Sequence, residues 1–242
     1  MKRGSILCGC LFILSTARLA VAEDAPVKTW KDTTQFTYLS ANGNTKSTTL
    51  GGSQLLQGSW KYVGLDIGGG ALGSSNKQVV TAEQYNAFEK LSWKLDDRNY
   101  TFERVGWDKN RFAGISNRID SSVGLGREFI KRPTDNLLFE LGGGYINEQR
   151  VNALRDDFAA GRAYSKYVHN FTAASNFSQD VEYLHNFKHP KGYRLNTETA
   201  LVSAISTRMS MKLSYGWKHV AEPAPGFGKN DTLTSAALIF NY

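Results

Sequence analysis

Cysteine is nearly absent from this chain: its only two, Cys8 and Cys10, fall within the first ten residues. The four histidines, His169, His185, His189 and His219, are scattered. Only His185 and His189 lie close in sequence, and four strand residues separate side chains by roughly 13 Å, too far to share an ion. Long apolar runs are missing as well. Past the first two dozen residues, Ala236–Phe240 is typical of the longest. A spanning helix needs about 20 apolar residues in sequence. These gaps exclude a disulfide framework, a thiolate metal site and a membrane-crossing helix. A strong charge of one sign is lacking too. The formal net charge is +7, and Lys2, Arg3 and Arg18 belong to a segment expected to be removed, which leaves +4. That excess is too small to argue for nucleic acid.

What is present begins with a leader. Lys2 and Arg3 precede the apolar stretch Ile6–Leu14, and Ala20-Val21-Ala22 supplies a small-residue cleavage site. This order describes a Sec signal peptide over residues 1–22, handled by the Sec translocase and signal peptidase, with a mature domain over 23–242. Leu7-Cys8-Gly9-Cys10 weakly resembles a lipoprotein box. Cutting there would leave few apolar residues before the cysteine and strand Leu11–Leu14 after it.

An exported chain without spanning helices can still enter a membrane as a closed barrel, because closure pairs every backbone N–H and C=O between strands. The expected pattern is repeated alternating segments of about ten residues, with short turns at one end and longer loops at the other. Twelve such segments can be read from Thr33–Ser40 to Asp231–Tyr242. Met209, Met211, Leu213, Tyr215 and Trp217 alternate with Ser210, Lys212, Ser214 and Lys218. Alternation is weak in Asn99–Trp107, where Tyr100 and Phe102 share a parity with Arg104. Connections after even segments are short, as at Asp96-Asp97-Arg98, and those after odd segments are mostly longer. The longest expected loop, Ile146–Arg162, is rich in charge, and Asn152–Ala160 has spacing suited to a helical turn or two. Asn42-Gly43 suits a hairpin tip. The fold class read from this pattern is all-β: a closed antiparallel transmembrane barrel of about 12 strands, with short periplasmic turns and longer outer loops.

Aromatic residues should mark the two membrane interfaces. Trp60, Tyr62, Tyr100, Phe102, Phe240 and Tyr242 are expected near the periplasmic side, and Trp107, Phe112, Tyr145, Tyr164, Tyr167 and Trp217 near the outer side. At the carboxyl end, Leu238, Phe240 and Tyr242 share one face. That ending resembles the last strand of bacterial outer-membrane barrels, which the barrel-assembly machinery recognises as an insertion signal.

Three further stretches carry a family resemblance: Gly43-Asn44-Thr45, the run Asp97-Arg-Asn-Tyr-Thr-Phe-Glu-Arg104, and Asp108-Lys-Asn-Arg-Phe-Ala-Gly114. With them the chain resembles the YdiY-type salt-induced outer membrane proteins, from about Trp30 to Tyr242. The resemblance implies residence in the Gram-negative outer membrane, reached through the periplasm, contact with its lipid, and a link to osmotic or salt stress. The family's domain has no assigned biochemical function, so no catalytic residue carries over.

Function then turns on the lumen. Alternation points Asp66, Asp120, Glu140, Glu182 and Glu198 inward, together with Lys90, Lys94, Arg118, Lys166, Lys212 and Lys218. Mixed signs suit either a narrow polar pore or an interior closed by ion pairs, and both readings stay open. Gly68–Gly70 and Gly142–Gly144 lie within strands, where they permit bending or close packing in the wall. No cofactor, catalytic or metal residue is assigned. An enzyme or receptor at the outer rim would use Asp156, Asp157 and His219, although no Ser or Asp sits at triad spacing to a histidine. A soluble periplasmic β-sheet binding protein is the third reading. The leading expectation is a non-enzymatic barrel, either a small-solute pore or an envelope-stress structural barrel.

Overall fold

The computed structural model describes residues 29–41, 47–76, 79–151 and 155–241. The signal segment, the Asn42-Gly43 tip, the Gly43–Thr45 stretch and Tyr242 lie outside the described residues. Within them run twelve strands: β1 (Thr29–Ala41), β2 (Ser47–Ser59), β3 (Val63–Asn76), β4 (Val79–Lys94), β5 (Asn99–Asn110) and β6 (Ile115–Lys131). The second half continues with β7 (Asp135–Arg150), β8 (Arg155–Asn170), β9 (Ser175–Asn186), β10 (Arg194–Ala204), β11 (Met209–Val220) and β12 (Asn230–Asn241). A single 3-10 turn, Arg111–Ala113, joins β5 to β6. Each strand pairs antiparallel with its neighbours in sequence, and β1 pairs with β12, which closes the barrel. Closure matters because no sheet edge then remains to be satisfied inside a bilayer.

The two faces of this sheet are inverted relative to a soluble protein. Val123, Leu125 and Leu141 are 63%, 62% and 60% exposed, whereas Glu140 is 0% exposed. Period-2 alternation therefore sends aliphatic side chains outward and polar ones inward, as in β11, where Met211, Leu213 and Tyr215 are exposed and Ser210 and Ser214 are buried. An apolar band around the whole wall is far larger than a soluble monomer tolerates, so the soluble β-sheet reading is set aside. Several strands, among them β6 with 17 residues and β7 and β8 with 16 each, exceed the roughly 9–11 residues needed to cross the hydrocarbon. Their surplus projects beyond the band.

That surplus corrects four expectations. The long charged loop Ile146–Arg162 is instead a hairpin: β7 continues to Arg150 and β8 begins at Arg155. The helical spacing after Asn152 is overridden from Arg155 onward by ladder pairing with β7, in which Asp156 lies opposite Glu148 and Phe158 opposite Ile146. The connection expected over Leu72–Val80 shrinks likewise, since β3 reaches Asn76 and β4 starts at Val79. Because β8 starts nine residues before Tyr164, its phase along the barrel changes. Tyr167 then lies near the end that carries both termini, opposite Leu137 in β7, rather than at the far interface.

Inside the wall, close approach is permitted by glycine. A Cβ on Gly144 would lie 1.8 Å from the Ser121 carbonyl oxygen of β6. One on Gly126 would lie 2.2 Å from the ring of Tyr100, the residue directly across the ladder. The wall between β5 and β7 thus makes room for inward-facing aromatic rings.

Candidate functional site

Tyr100 and Phe102 occupy the interior, which corrects their expected place in the interfacial belt. The shared parity of Tyr100, Phe102 and Arg104 is real, and it is the inward face of β5, with Glu103, Val105 and Trp107 exposed outside. Phe102 is 2% exposed and underlies two cations, Lys90 Nζ at 5.3 Å and the Arg162 guanidinium at 5.7 Å from its ring centre. Tyr164, also expected in a belt, faces inward too. Its hydroxyl donates to Asp180 at 2.9 Å, and its ring lies 4.9 Å from Arg162.

Glu140 is the hub of this interior. Its Oε1 accepts from Lys90 of β4 and, at 2.8 Å, from the Tyr100 hydroxyl of β5. Its Oε2 accepts from Arg162 Nη1 of β8 at 2.8 Å. Arg162 Nε donates onward to Glu182 of β9 at 2.7 Å, and Glu182 accepts from Asn196 of β10 at 3.1 Å. One connected chain of charge therefore runs from β4 to β9, extended to β10 by the Asn196 amide. A buried carboxylate is tolerated only when opposite charges and hydrogen bonds satisfy it, and here two cations and a phenol do so.

Most of the other inward charges are also partnered, Lys218 being an exception among the described residues. Arg104 pairs with Asp120, and Arg118 lies 3.4 Å from Asp108. Lys212 binds Glu198 at 2.6 Å, Lys166 lies 3.6 Å from Asp180, and Asp66 accepts from Gln57 at 2.9 Å. Lys94 differs, because its Nζ donates to Ser59 and to the Trp60 carbonyl oxygen beside the β2–β3 turn. Toward the far end, Glu148 holds Arg194 at 2.6 Å and Arg150 at 3.2 Å, beside the buried group Ile146, Phe158 and Ala160. Arg162, Arg194, Glu148, Asp108 and Asp180 were absent from the sequence-based lumen set. Continuing the inward parity of β7 past Tyr145 reaches Glu148, and β8 read in the same register reaches Arg162.

The ion-paired network occupies the side of the interior formed by β4 to β9. Beside it, bounded by β1 to β4 and β8 to β12, lies a cavity of about 620 Å³. Amide and hydroxyl side chains such as Gln35, Thr37, Gln84, Asn86 and Asn196 line it, together with Asp180 and Glu182 from the network's flank. Glycine widens it: the Cβ position on Gly216 has only backbone carbonyl oxygens nearby, at 3.8 Å.

The outer-rim enzyme set is not assembled. Asp156 is held by Arg150 and Lys188, Asp157 by Arg155, and His219 Nδ1 by Asn230 at 2.7 Å. No hydrogen bond among the described residues joins His219 to either aspartate. Sequence reasoning missed a different group: Asp135 bonds both His169 Nδ1 and the Tyr167 hydroxyl at 2.8 Å, on the outer surface near the termini. The Thr134 hydroxyl donates to the other Asp135 oxygen at 2.8 Å. Among the described residues no cluster of three or more His, Cys, Asp or Glu has metal-binding geometry. Leu238 and Phe240 lie on the outward face of β12, with the Phe240 ring meeting Phe36 of β1 edge-on at 6.3 Å.

Comparison with known proteins agrees with this architecture. A family model described as "Protein of unknown function, DUF481" matches residues 34–242. The Escherichia coli (strain K12) protein "Uncharacterized protein YdiY" is 26% identical over 186 residues, covering 77% of this chain and 72% of that one. A solved KdgM porin superposes with a TM-score of 0.51 at 6% identity, over 88% of this chain and 99% of the porin. The KdgM porin in complex with disordered oligogalacturonate gives 0.50 at 6% identity, over 87% and 99%. At such identity the likeness shows a shared outer-membrane barrel fold and nothing more.

Proposed function

From the premise that the chain belongs to the DUF481 family of proteins of unknown function, we propose that it is a non-enzymatic pore of the Gram-negative outer membrane, exported with a leader over residues 1–22. One observation carries this reading. Most interior charges are tied into ion pairs, and a polar cavity bounded by β1 to β4 and β8 to β12 is left beside them. A sealed structural barrel has no need of such a cavity, whereas a narrow conduit requires a wall that replaces the hydration of what passes. The ion pairs then act as a rigid wedge that narrows the lumen without a plug domain. The salt-stress link implied by the family resemblance fits a small-solute conduit of this kind.

The test is conductance in a planar bilayer, using protein shown to be folded by its gel mobility shift on boiling. Discrete, reproducible current steps are expected. A folded barrel that inserts and gives no current overturns the pore and leaves the structural-barrel reading.

A further inference from the structure

The cavity wall has a chemistry of its own. Gln35, Gln84 and Asn86 line it, and their side-chain amides make no hydrogen bond to protein among the described residues. Asn196 gives its amide N–H to Glu182, and its oxygen has no protein donor. Amide groups both donate and accept, so they match hydroxyl groups, which also do both. They match carboxylates or ammonium ions less well, since those only accept or only donate.

The charges along the same wall cancel locally. Asp180, Glu182 and Glu198 line the cavity, and each faces a cation already described: Lys166, Arg162 and Lys212. Lys218 and Asp231 make no ion pair among the described residues, but they stand directly opposite each other in the β11–β12 ladder. No single-sign surface is left to attract or repel an ion by its charge. The cavity volume, about 620 Å³, lies within the ~300–1,000 Å³ usual for small-molecule sites.

We propose that this wall selects small, neutral, polyhydroxylated solutes over charged ones of equal size, an inference that rests on the pore reading. Within the passage, the free amides of Gln84 and Asn86 exchange hydrogen bonds with solute hydroxyls in place of water. A charged analogue loses its hydration shell and finds no unpaired counter-charge to replace it.

Protein purified from membranes and reconstituted into vesicles would be assayed for flux of glucose, gluconate and glucosamine, which share a size and differ in charge. Glucose is expected to enter several-fold faster than either ion. The double variant Gln84→Leu/Asn86→Leu, shown to be folded by its gel mobility shift, is expected to slow glucose several-fold. Equal rates for the three solutes, faster entry of an ion, or glucose flux unaffected by the double variant would overturn the selectivity. Absence of both current and flux in the wild type would instead overturn the pore on which it rests. The Gly216→Leu variant, whose side chain grows into the cavity, separates entry through this passage from leakage: its folded form is expected to lose glucose flux, and undiminished flux would place the route elsewhere.

Discussion

Glu140 shows at the scale of one residue how much of this interior depends on neutralisation. Removing its carboxylate leaves Lys90 and Arg162 facing each other without their shared counter-charge. Breaking a buried pair in this way typically costs about 3–5 kcal/mol. Glu140→Ala is therefore expected to lower the unfolding free energy in urea by about that much, and a loss under about 1 kcal/mol would show the hub to be dispensable. The sequence pattern reaches Glu140 because its neighbours Phe139 and Leu141 are plainly apolar. It does not reach Phe102 or Tyr100, since an aromatic ring packed under interior cations looks the same in sequence as one in an interfacial belt. Arg162 was misplaced for a different reason. Its outward neighbours in β8 are Gly161 and Ala163, too small to advertise a lipid-facing strand.

Single strands carry constraints of a second kind. On the outward face of β4 the order is Tyr85, Ala87, Glu89, Leu91, Trp93, which places Glu89 midway between two interfacial aromatics. Glu103 of β5 faces the same way, opposite Leu91 in the ladder. Both are exposed and make no ion pair among the described residues. An ionisable group in the middle of the lipid-facing band destabilises a barrel, carboxylates less than the ~2–4 kcal/mol of basic residues. Replacing either by leucine is expected to stabilise the barrel in lipid vesicles by on the order of 1 kcal/mol. A loss of stability would mean that something other than lipid covers this face. The turn between β4 and β5 gives a pH-dependent case. Asp96 accepts from the Asn99 side chain at 2.6 Å and from the backbone N–H groups of Asn99 and Arg98 at 2.7 and 2.8 Å. These bonds hold its carboxyl down to about 2, from an ordinary 3.8. A carboxyl depressed on folding adds stability that is fully present above its unfolded value and disappears as pH falls through its folded value. The stability difference between wild type and Asp96→Ala is thus expected at pH 5 and should shrink toward pH 2. A difference that stays constant over that range would remove the turn's carboxylate from the account.

For the molecule as a whole, twelve strands and their order were legible because period-2 alternation and turn chemistry are local signals. How far each strand runs was not, because β7 and β8 leave the apolar band with polar side chains on both faces, and pairing rather than alternation then fixes their length. Closure is the least local feature of all. β1 and β2 pair along their full lengths, but among the described residues β1 meets β12 only from Thr33–Thr37 against Ala237–Asn241. Fewer ladder bonds at this seam make it the place where the barrel opens first, and opening exposes backbone groups that lipid cannot satisfy. Gln35 and Ile239 are directly opposite across the seam and both point inward. Directly opposed antiparallel residues have Cα atoms roughly 4.5–5.5 Å apart, within disulfide range. A chain starting at Glu23 contains no cysteine, so Gln35→Cys/Ile239→Cys introduces the only pair. Oxidation of the folded double variant is expected to raise the temperature at which its gel mobility shifts, and reduction should return it to the wild-type value. If the bond forms and the temperature does not move, unfolding begins elsewhere in the wall; if it does not form in folded protein, β1 and β12 are not in this register.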